Sequence, residues 1–286
     1  MPINPFPDSV AKQVIRIRDS FDIEDFRNRE FNRAKLKYFG LPSSELLDVL
    51  TWKDHISGIT AIERDSDVLK DITKSLFTHK LESICELIQG DINEILRNEN
   101  IQEHQLFNLD LYGGFVHKKK DGSASTPEAL KALIRRQAGF RQSFLFISTF
   151  HLRGSDKIEY SDYIETIRKS LSSYPVDNLD ENIDFHVSKG RPTNVYRLKV
   201  CLPFFIYLSG LPDFKFRLKR VYHYKTFIHF VIEMIFASDR ALGLVPDPDT
   251  MIEILNTQIS EVEGRTVMTK EPQIPDIVLA RKKLTF

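Results

Sequence analysis

Acidic residues follow three short apolar runs of the chain. They stand in the segments AIERD, LIQGD and NLDLYGG, and the acids are Glu63, Asp91 and Asp110. A carboxylate accepts hydrogen bonds more strongly than a neutral oxygen does, so such side chains suit a ligand that presents hydroxyl or amino groups. The three acids are therefore candidate ligand contacts if the fold places them at one edge.

The elements that would position these acids alternate between strand and helix patterns, which predicts βαβ units and a parallel sheet in an α/β fold. Strands are predicted over 36–41, 58–65, 83–91, 106–115 and 143–154, and helices over 42–50, 67–77 and 126–139. Ser43 or Ser44 is the expected N-cap of the first of these helices. Ligands of such sheets bind outside the carboxyl ends of the strands.

An adenosine ligand suits this edge, because Glu63 would accept hydrogen bonds from the ribose hydroxyls and Asp91 from the adenine amino group. Acids after strands also cap the helices that follow them, and for Asp91 a helix cap is an equal alternative.

The ends of the chain carry different patterns. Residues 8–34 predict two amphipathic helices that are broken near Asp19–Glu24. Lys215–Tyr224 alternates charged and apolar residues, as a half-exposed strand does, and it is predicted to form a hairpin with Phe227–Phe236. The expected organisation is an N-terminal helical extension (1–34), a Rossmann-like domain (35–245) with an insertion at about 155–192, and a C-terminal helix and tail (246–286).

The composition narrows the class of protein. Forty basic and forty acidic residues cancel, so no global field attracts the chain to nucleic acid or to a membrane. The apolar runs Cys201–Leu211 and Phe227–Ala237 are shorter than the ~20 residues of a spanning helix. The N-terminus lacks the pattern of a secretory signal. Cys85 and Cys201 are the only cysteines, and neither has a cysteine or histidine near it at the spacing of metal ligands. A cytoplasmic protein without a metal site is expected.

The three acidic segments resemble motifs that class I S-adenosylmethionine-dependent methyltransferases carry after their second, third and fourth strands. The resemblance covers about residues 35–154. It implies a Rossmann-like methyltransferase fold with a mostly parallel seven-stranded sheet and an antiparallel terminal hairpin. The implied cofactor is S-adenosylmethionine, and the implied contacts are Phe39, Gly40, Leu41, Pro42, Glu63, Arg64, Asp91 and Ile92. The implied catalytic residues, beside the transferred methyl group, are Asn108, Asp110 and Tyr112.

Within this family, an acid followed by an aromatic residue and glycine is similar to the motif of amino-methylating RNA and DNA enzymes. There Asp110 would orient the lone pair of the target nitrogen and Tyr112 would stack on the base, although the proline of that motif is absent between them. The implied substrate is an amino group of a nucleic acid or nucleotide. Lys118–Lys120, with Arg135 and Arg136, is the candidate contact for RNA or DNA.

The turn after the first strand departs from the family pattern. Gly40 stands alone before Leu41 and Pro42, where the family has a glycine-rich turn that lets the donor approach the backbone. A second hypothesis is therefore a catalytically inactive methyltransferase-like subunit that binds a partner or a second copy through 201–236. A nicotinamide-dependent oxidoreductase would require G-x-G-x-x-G here, which the chain lacks.

Overall fold

The computed structural model describes residues 10–97, 101–111, 126–151, 213–224 and 227–236. Five α-helices and seven strands lie in these ranges. In chain order they are α1 (Val10–Glu30), β1 (Leu36–Gly40), α2 (Leu47–Trp52), β2 (Ile56–Glu63), α3 (Ser66–Thr78), β3 (Cys85–Gln89), α4 (Ile92–Arg97), β4 (Leu106–Leu111), α5 (Thr126–Phe140), β5 (Phe144–His151), β6 (Phe214–Tyr224) and β7 (Phe227–Phe236).

All seven strands join one sheet in the order β3-β2-β1-β4-β5-β7-β6. The first five strands of this order are parallel, and β7 is antiparallel to both β5 and β6. The strand order reverses between β1 and β4, which opens a crevice at their carboxyl ends. This order and the antiparallel final pair confirm the predicted Rossmann-like methyltransferase fold.

The two faces of the sheet have separate apolar layers. On one face, α1, α2 and α3 cover side chains from β1, β2, β4, β5 and β7. The buried members of this cluster include Ile23, Phe26, Tyr38, Trp52, Ile59, Ile72, Leu106, Leu145, Ile147 and Val231. On the opposite face, the rings of Phe39, Phe107 and Phe144 pack in sequence, with centroids 5.6 and 5.2 Å apart. Burial of these large side chains fixes which face each strand residue occupies.

The predicted break in the first helix is wrong, because α1 is one continuous helix of 21 residues. Ile23 and Phe26 are buried in the core, while Asp19 and Asp22 are buried against the terminal hairpin. Asp22 accepts from Arg220 Nε at 2.7 Å. The acids resemble a helix break in the sequence because their partners lie about two hundred residues away along the chain.

The predicted start of α2 is also wrong. The helix begins at Leu47, after Leu46 adopts left-handed backbone angles (φ 55°, ψ 28°) without a side-chain cap. The Leu46 N–H donates to the Ser43 carbonyl at 2.9 Å, so a turn replaces the expected cap by Ser43 or Ser44. Burial of the Leu46 side chain offsets the cost of this backbone conformation.

The hairpin confirms the predicted pairing of the last two described strands, with an irregularity in its register. Between Leu218 and Arg220 the pairing with β7 shifts by one residue. This bulge lets two consecutive side chains, Lys219 and Arg220, reach α1, where they bind Asp25 and Asp22. The hairpin is therefore joined to α1 by ion pairs.

Two predicted parts of the chain lie outside the described residues. They are the insertion at about 155–192 and the C-terminal helix and tail over 246–286. Among the described helices, none combines the length and the apolar character needed to cross a membrane.

Candidate functional site

The end of β1 passes very close to β4. Gly40 pairs with Asn108, and the Leu41 N–H donates to the Asn108 carbonyl at 3.2 Å. A Cβ atom on Gly40 would lie 2.5 Å from that carbonyl oxygen and 2.5 Å from the Tyr38 hydroxyl. Only glycine fits this position, since both distances are far below van der Waals contact.

The Tyr38 hydroxyl is buried and makes no hydrogen bond in the described part of the chain. Burial, with a smaller contribution from the Asp48 carboxylate, raises the pKa of Tyr38 well above its usual value. The nearby amide of Asn108 donates to Asp48 Oδ2 at 3.0 Å instead. A hydroxyl without a hydrogen bond to the described residues therefore lies beside Gly40 at the end of β1.

A charged chain leads from α1 to this position. Arg16 Nε donates to Asp48 Oδ1 at 2.6 Å, and the second oxygen of Asp48 accepts from Asn108. The Arg16 carbonyl accepts from the indole N–H of Trp52 at 2.9 Å, which fixes α1 against α2. The sequence did not predict Arg16 and Asp48 as site residues, because only the packing of two helices reveals that they meet Asn108.

Glu63 is the last residue of β2 and is half-buried. Its Oε1 accepts from the Asp65 N–H at 2.7 Å, and its carbonyl accepts from the Gly90 N–H at 3.0 Å. The first contact fixes the carboxylate, and the second joins the turns after β2 and β3. Asp65, rather than Glu63, caps α3 by accepting from Asp67 and Val68.

Asp91 begins the turn into α4. Its Oδ1 accepts from the Asn93 N–H at 2.9 Å, which is the geometry of a helix cap, and its Oδ2 lies 3.9 Å from Arg64 Nη1. The helix cap uses one carboxylate oxygen of Asp91, and the other oxygen faces the exposed Arg64. Ile92 is the first residue of α4 and is partly buried.

Asp110 stands near the end of β4. Its neighbour in register on β5 is Thr149, whose own neighbour on β7 is His229. The side chain of Asp110 is exposed to solvent. Desolvation by the neighbouring protein nevertheless raises the pKa of Asp110 to about 6; Asp48 adds to the rise, and Lys12 and His229 oppose it.

Beside Asp110, three side chains form a buried hydrogen-bonded chain that the sequence did not predict. Thr149 Oγ1 lies 2.9 Å from His229 Nδ1, and His229 Nε2 lies 3.1 Å from Asp19 Oδ2. The alternation of β7 places His229 on the face covered by α1, but no local pattern pairs it with Asp19.

The remaining predicted residues occupy varied positions. The Phe39 ring is enclosed by His104 and Phe107, so that only its backbone reaches the edge. Pro42 is buried and Leu41 partly buried. Tyr112 lies outside the described residues.

Some of the basic residues predicted to contact nucleic acid are described by the structure and others are not. Arg135 is exposed on α5, whereas Arg136 donates to the Leu96 carbonyl at the end of α4. Lys118–Lys120 lies outside the described residues. On the hairpin, Arg217 and Lys219 contact the buried carboxylate of Glu233.

Metal binding finds no support in the part of the chain that the structure describes. No group of three histidine, cysteine, aspartate or glutamate side chains there is arranged to hold a metal ion. Cys85 is partly buried, and burial raises the pKa of its thiol to about 11.

Comparison with solved structures finds methyltransferases at low identity. The protein yhhF of Escherichia coli, which is named as a methyltransferase, is 13% identical with a TM-score of 0.41 over 82% of this chain and 92% of that chain. SMU.1697c of Streptococcus mutans, in complex with SAH, is 12% identical with a TM-score of 0.38 over 77% and 98%. Trm5b of Pyrococcus abyssi is 11% identical with a TM-score of 0.38 over 80% and 50%.

No family model matches the sequence, and no curated protein matches it. We therefore assign the fold from the strand order of the chain itself.

Proposed function

We propose that the chain binds S-adenosylmethionine at the carboxyl edge of β1, β2 and β3 and transfers its methyl group to an amino group of a nucleic acid or nucleotide. The observation that carries this proposal is the pair of carboxylates after β2 and β3. Glu63 and Asp91 each bind one backbone N–H of their own turn with one oxygen. Such a contact orients a carboxylate and leaves its second oxygen for a ligand.

The adenosine part of the donor fits these residues. Glu63 follows two residues after Ala61, the neighbour of Gly40 in register. Its uncommitted oxygen would accept from the ribose hydroxyls. Asp91 would accept from the adenine amino group, with Arg64 close enough to fix the second oxygen.

The methionine part requires close approach to the end of β1. Beside Gly40, the Tyr38 hydroxyl is a buried donor without a hydrogen bond to the described residues. A buried unpaired hydroxyl is costly, so a polar ligand group that reached it would gain a hydrogen bond. The zwitterionic end of the donor would also meet the Arg16–Asp48 ion pair.

When bound, S-adenosylmethionine supplies a methyl group on a sulfonium centre. The residues of the chain would position the amine that accepts it. Asp110 is the acceptor nearest to the end of β4, and its carboxylate would take a hydrogen bond from the target amino group and orient the nitrogen lone pair. Arg135, exposed on α5, would contact the phosphates of the substrate.

Calorimetric titration of the full chain with S-adenosylmethionine tests the proposal. We expect Glu63→Gln to weaken binding by about 10- to 100-fold, the effect of losing one charged hydrogen bond. Glu86→Gln is the matched control, because Glu86 is an exposed glutamate of β3 away from the strand end and should bind as the unmodified chain does. Absence of heat with the unmodified chain at millimolar donor would reject donor binding.

A second candidate function is supported by the crowding at Gly40. The space beside this glycine is already filled by the Tyr38 hydroxyl and the Asn108 carbonyl, both from the chain itself. A methyltransferase-like subunit without catalysis would keep such a filled crevice and use its surface for a partner. It predicts no donor binding in the titration together with self-association in sedimentation, and a strictly monomeric chain would count against it.

A further inference from the structure

Four ion pairs join one face of α1 to the terminal hairpin among the residues that the structure describes. They are Asp19–His229, Asp22–Arg220, Asp25–Lys219 and Arg29–Glu233. Arginine and lysine side chains ordinarily stay charged across the neutral pH range, whereas histidine gains and loses its proton there. The contact between Asp19 and His229 is therefore the one of these four that a change of pH near neutrality can alter.

The Asp19–His229 pair is buried, with 2% and 5% of the two residues exposed. His229 Nε2 lies 3.3 Å from Asp19 Oδ1 and 3.1 Å from Asp19 Oδ2. On the other side of the ring, Nδ1 lies 2.9 Å from the hydroxyl of Thr149, which is itself buried and carries no charge. Little water reaches the pair, so each of the two side chains depends on the other for its charge balance.

One proton decides whether the charge of this contact is balanced. An imidazolium donates to the Asp19 carboxylate from Nε2 and to the Thr149 hydroxyl from Nδ1, and its charge cancels that of the carboxylate. Loss of the proton leaves a buried carboxylate against a neutral ring, which is costly inside a protein. The docked form of α1 therefore holds a proton that a separated histidine releases above about pH 6.5.

The charges around the pair favour keeping this proton. Burial lowers the pKa of His229, but the carboxylates around the ring, above all Asp19, outweigh burial and raise that pKa. Burial raises the pKa of Asp19, and His229 opposes this rise. Because both pKa values are raised, the docked pair holds a proton more tightly than the separated side chains do. The other charged groups that face the pair are Asp22 on α1, Asp48 on α2, Asp110 on β4 with Lys12 of α1 near it, and Arg220 on β6.

The docking of α1 reaches the candidate site through Arg16, about one turn before Asp19. Arg16 Nε donates to Asp48 Oδ1 at 2.6 Å, and Asp48 Oδ2 accepts from the Asn108 amide at 3.0 Å. Asn108 pairs with Gly40 at the end of β1. Release of α1 would take Arg16 away from Asp48 and leave the contact between Asp48 and Asn108 without this support.

We propose that the proton shared by Asp19 and His229 is a pH-sensitive switch, which fixes α1 on the hairpin and whose loss above neutral pH releases α1, with Arg16, from the candidate site. The effect of this switch on methyl transfer rests on the proposed function. The proton-dependent docking of α1 is a property of the chain without any ligand.

Nitrogen-15 NMR of the histidine side chains in the ligand-free full chain tests the protonation state. We expect the His229 ring, assigned with His229→Gln, to carry protons on both nitrogens at about pH 7.5, where an ordinary histidine is neutral. Asp19→Asn keeps the shape of the carboxylate and removes its charge, so it should make the ring neutral at the same pH. A neutral ring in the unmodified chain at this pH overturns the proposal.

Hydrogen exchange of the α1 amides, followed by mass spectrometry and corrected for the intrinsic exchange rate at each pH, measures the release of α1. Between about pH 6.5 and pH 8.5 the opening constant of α1 should increase by up to about tenfold per pH unit, because opening releases one proton. The increase should disappear in Asp19→Asn. A pH-independent opening constant in the unmodified chain, or the same increase in the folded Asp19→Asn variant, overturns the proposal.

Asp22→Asn is the matched control for Asp19→Asn. Asp22 lies about one turn further along α1 and is also buried, but its partner Arg220 is an arginine, a residue type that stays charged across this range. This variant should open more readily at every pH and keep the increase with pH, and loss of the increase here would also overturn the proposal. Titration with S-adenosylmethionine is a separate measurement, so a chain that binds no donor still shows whether the proton fixes α1.

Discussion

At the scale of single residues, the acids at the strand ends make contacts within the protein and leave oxygens for a ligand. Asp91 caps α4 with one oxygen, which is one of the two alternatives that its position in the sequence left open, and its other oxygen faces Arg64. The environment of Asp110 raises the pKa of its carboxyl to about 6.

The raised pKa of Asp110 predicts a pH dependence of the proposed methyl transfer. The carboxylate must be ionised to accept from an amino group, so kcat/KM should increase as the pH rises through about 6. Measurement of initial rates between about pH 5 and pH 8 checks this. The variant Asp110→Asn should have a much lower rate, without an increase near pH 6. A pH–rate profile that does not change near pH 6 would show that Asp110 does not act in the reaction.

The raised pKa of Asp110 also affects the stability of the chain, and this effect can be measured without substrate. The pKa of Asp110 is higher in the folded chain than in the unfolded chain, so the folded state prefers the neutral acid. The free energy of unfolding should therefore decrease as the pH rises toward and through about 6. Asp110→Asn should therefore stabilise the chain at about pH 7.5 and have a smaller effect at about pH 4. Urea unfolding at the two pH values measures the difference, and equal effects would contradict the shift.

Gly40 provides a steric prediction. A methyl group there would meet the Asn108 backbone oxygen at 2.5 Å, so Gly40→Ala should force β1 and β4 apart and cost about 1–3 kcal/mol of unfolding free energy. Gly139→Ala is the control, since Gly139 lies in α5 with open space around it and should gain up to about 1 kcal/mol. Denaturant midpoints of the two variants should move in opposite directions.

At the scale of elements, the strands and the bounds of α3 and α5 were predictable, whereas the continuity of α1 and the start of α2 were not. Apolar runs located β1 to β5 because burial on both faces leaves a strong local signal. The stretch Asp19–Glu24 misled the prediction, since the burial of Asp19 and Asp22 is made possible by His229 and Arg220. Arg16 and Asp48 were not predicted as site residues for the same reason, because local spacing in the sequence does not show contacts between distant elements.

Two aspartates of α1 allow a matched test of its docking. Asp22 and Asp25 both pair with the bulge of β6, but their side chains are 4% and 49% exposed. Asp22→Ala should cost about 1–3 kcal/mol, because the buried Asp22 carboxylate binds Arg220 where water screens the pair little. Asp25→Ala should cost less than about 1 kcal/mol, as an exposed pair does. Equal losses in urea unfolding would show that burial does not decide the contribution.

At the scale of the whole molecule, the order of the sheet sets the position of the candidate site. The reversal between β1 and β4 brings Gly40 and Asn108 together, and α1 pairs with polar residues of β6 and β7. The sequence predicted the parallel sheet and its final hairpin. It did not predict that the first helix completes the core beside that hairpin.

Removal of α1 should therefore affect the whole fold. A chain without residues 1–30 would expose the layer that Ile23 and Phe26 cover and leave Glu233 without Arg29. We expect it to bind a hydrophobic dye and to lose cooperative unfolding. A chain without residues 1–9 retains all of α1 and is the control; similar cooperative transitions in both truncations would show that α1 is dispensable.

The pairing of the first helix with the last described strands has a consequence for biosynthesis. The partners of Asp19, Asp22, Asp25 and Arg29 lie 194–210 residues further along the chain. At ribosomal rates, this face of α1 lacks its partners for about 10–40 s until they have been translated. We expect nascent chains arrested before residue 214 to leave this face of α1 uncovered and open to proteases and chaperones.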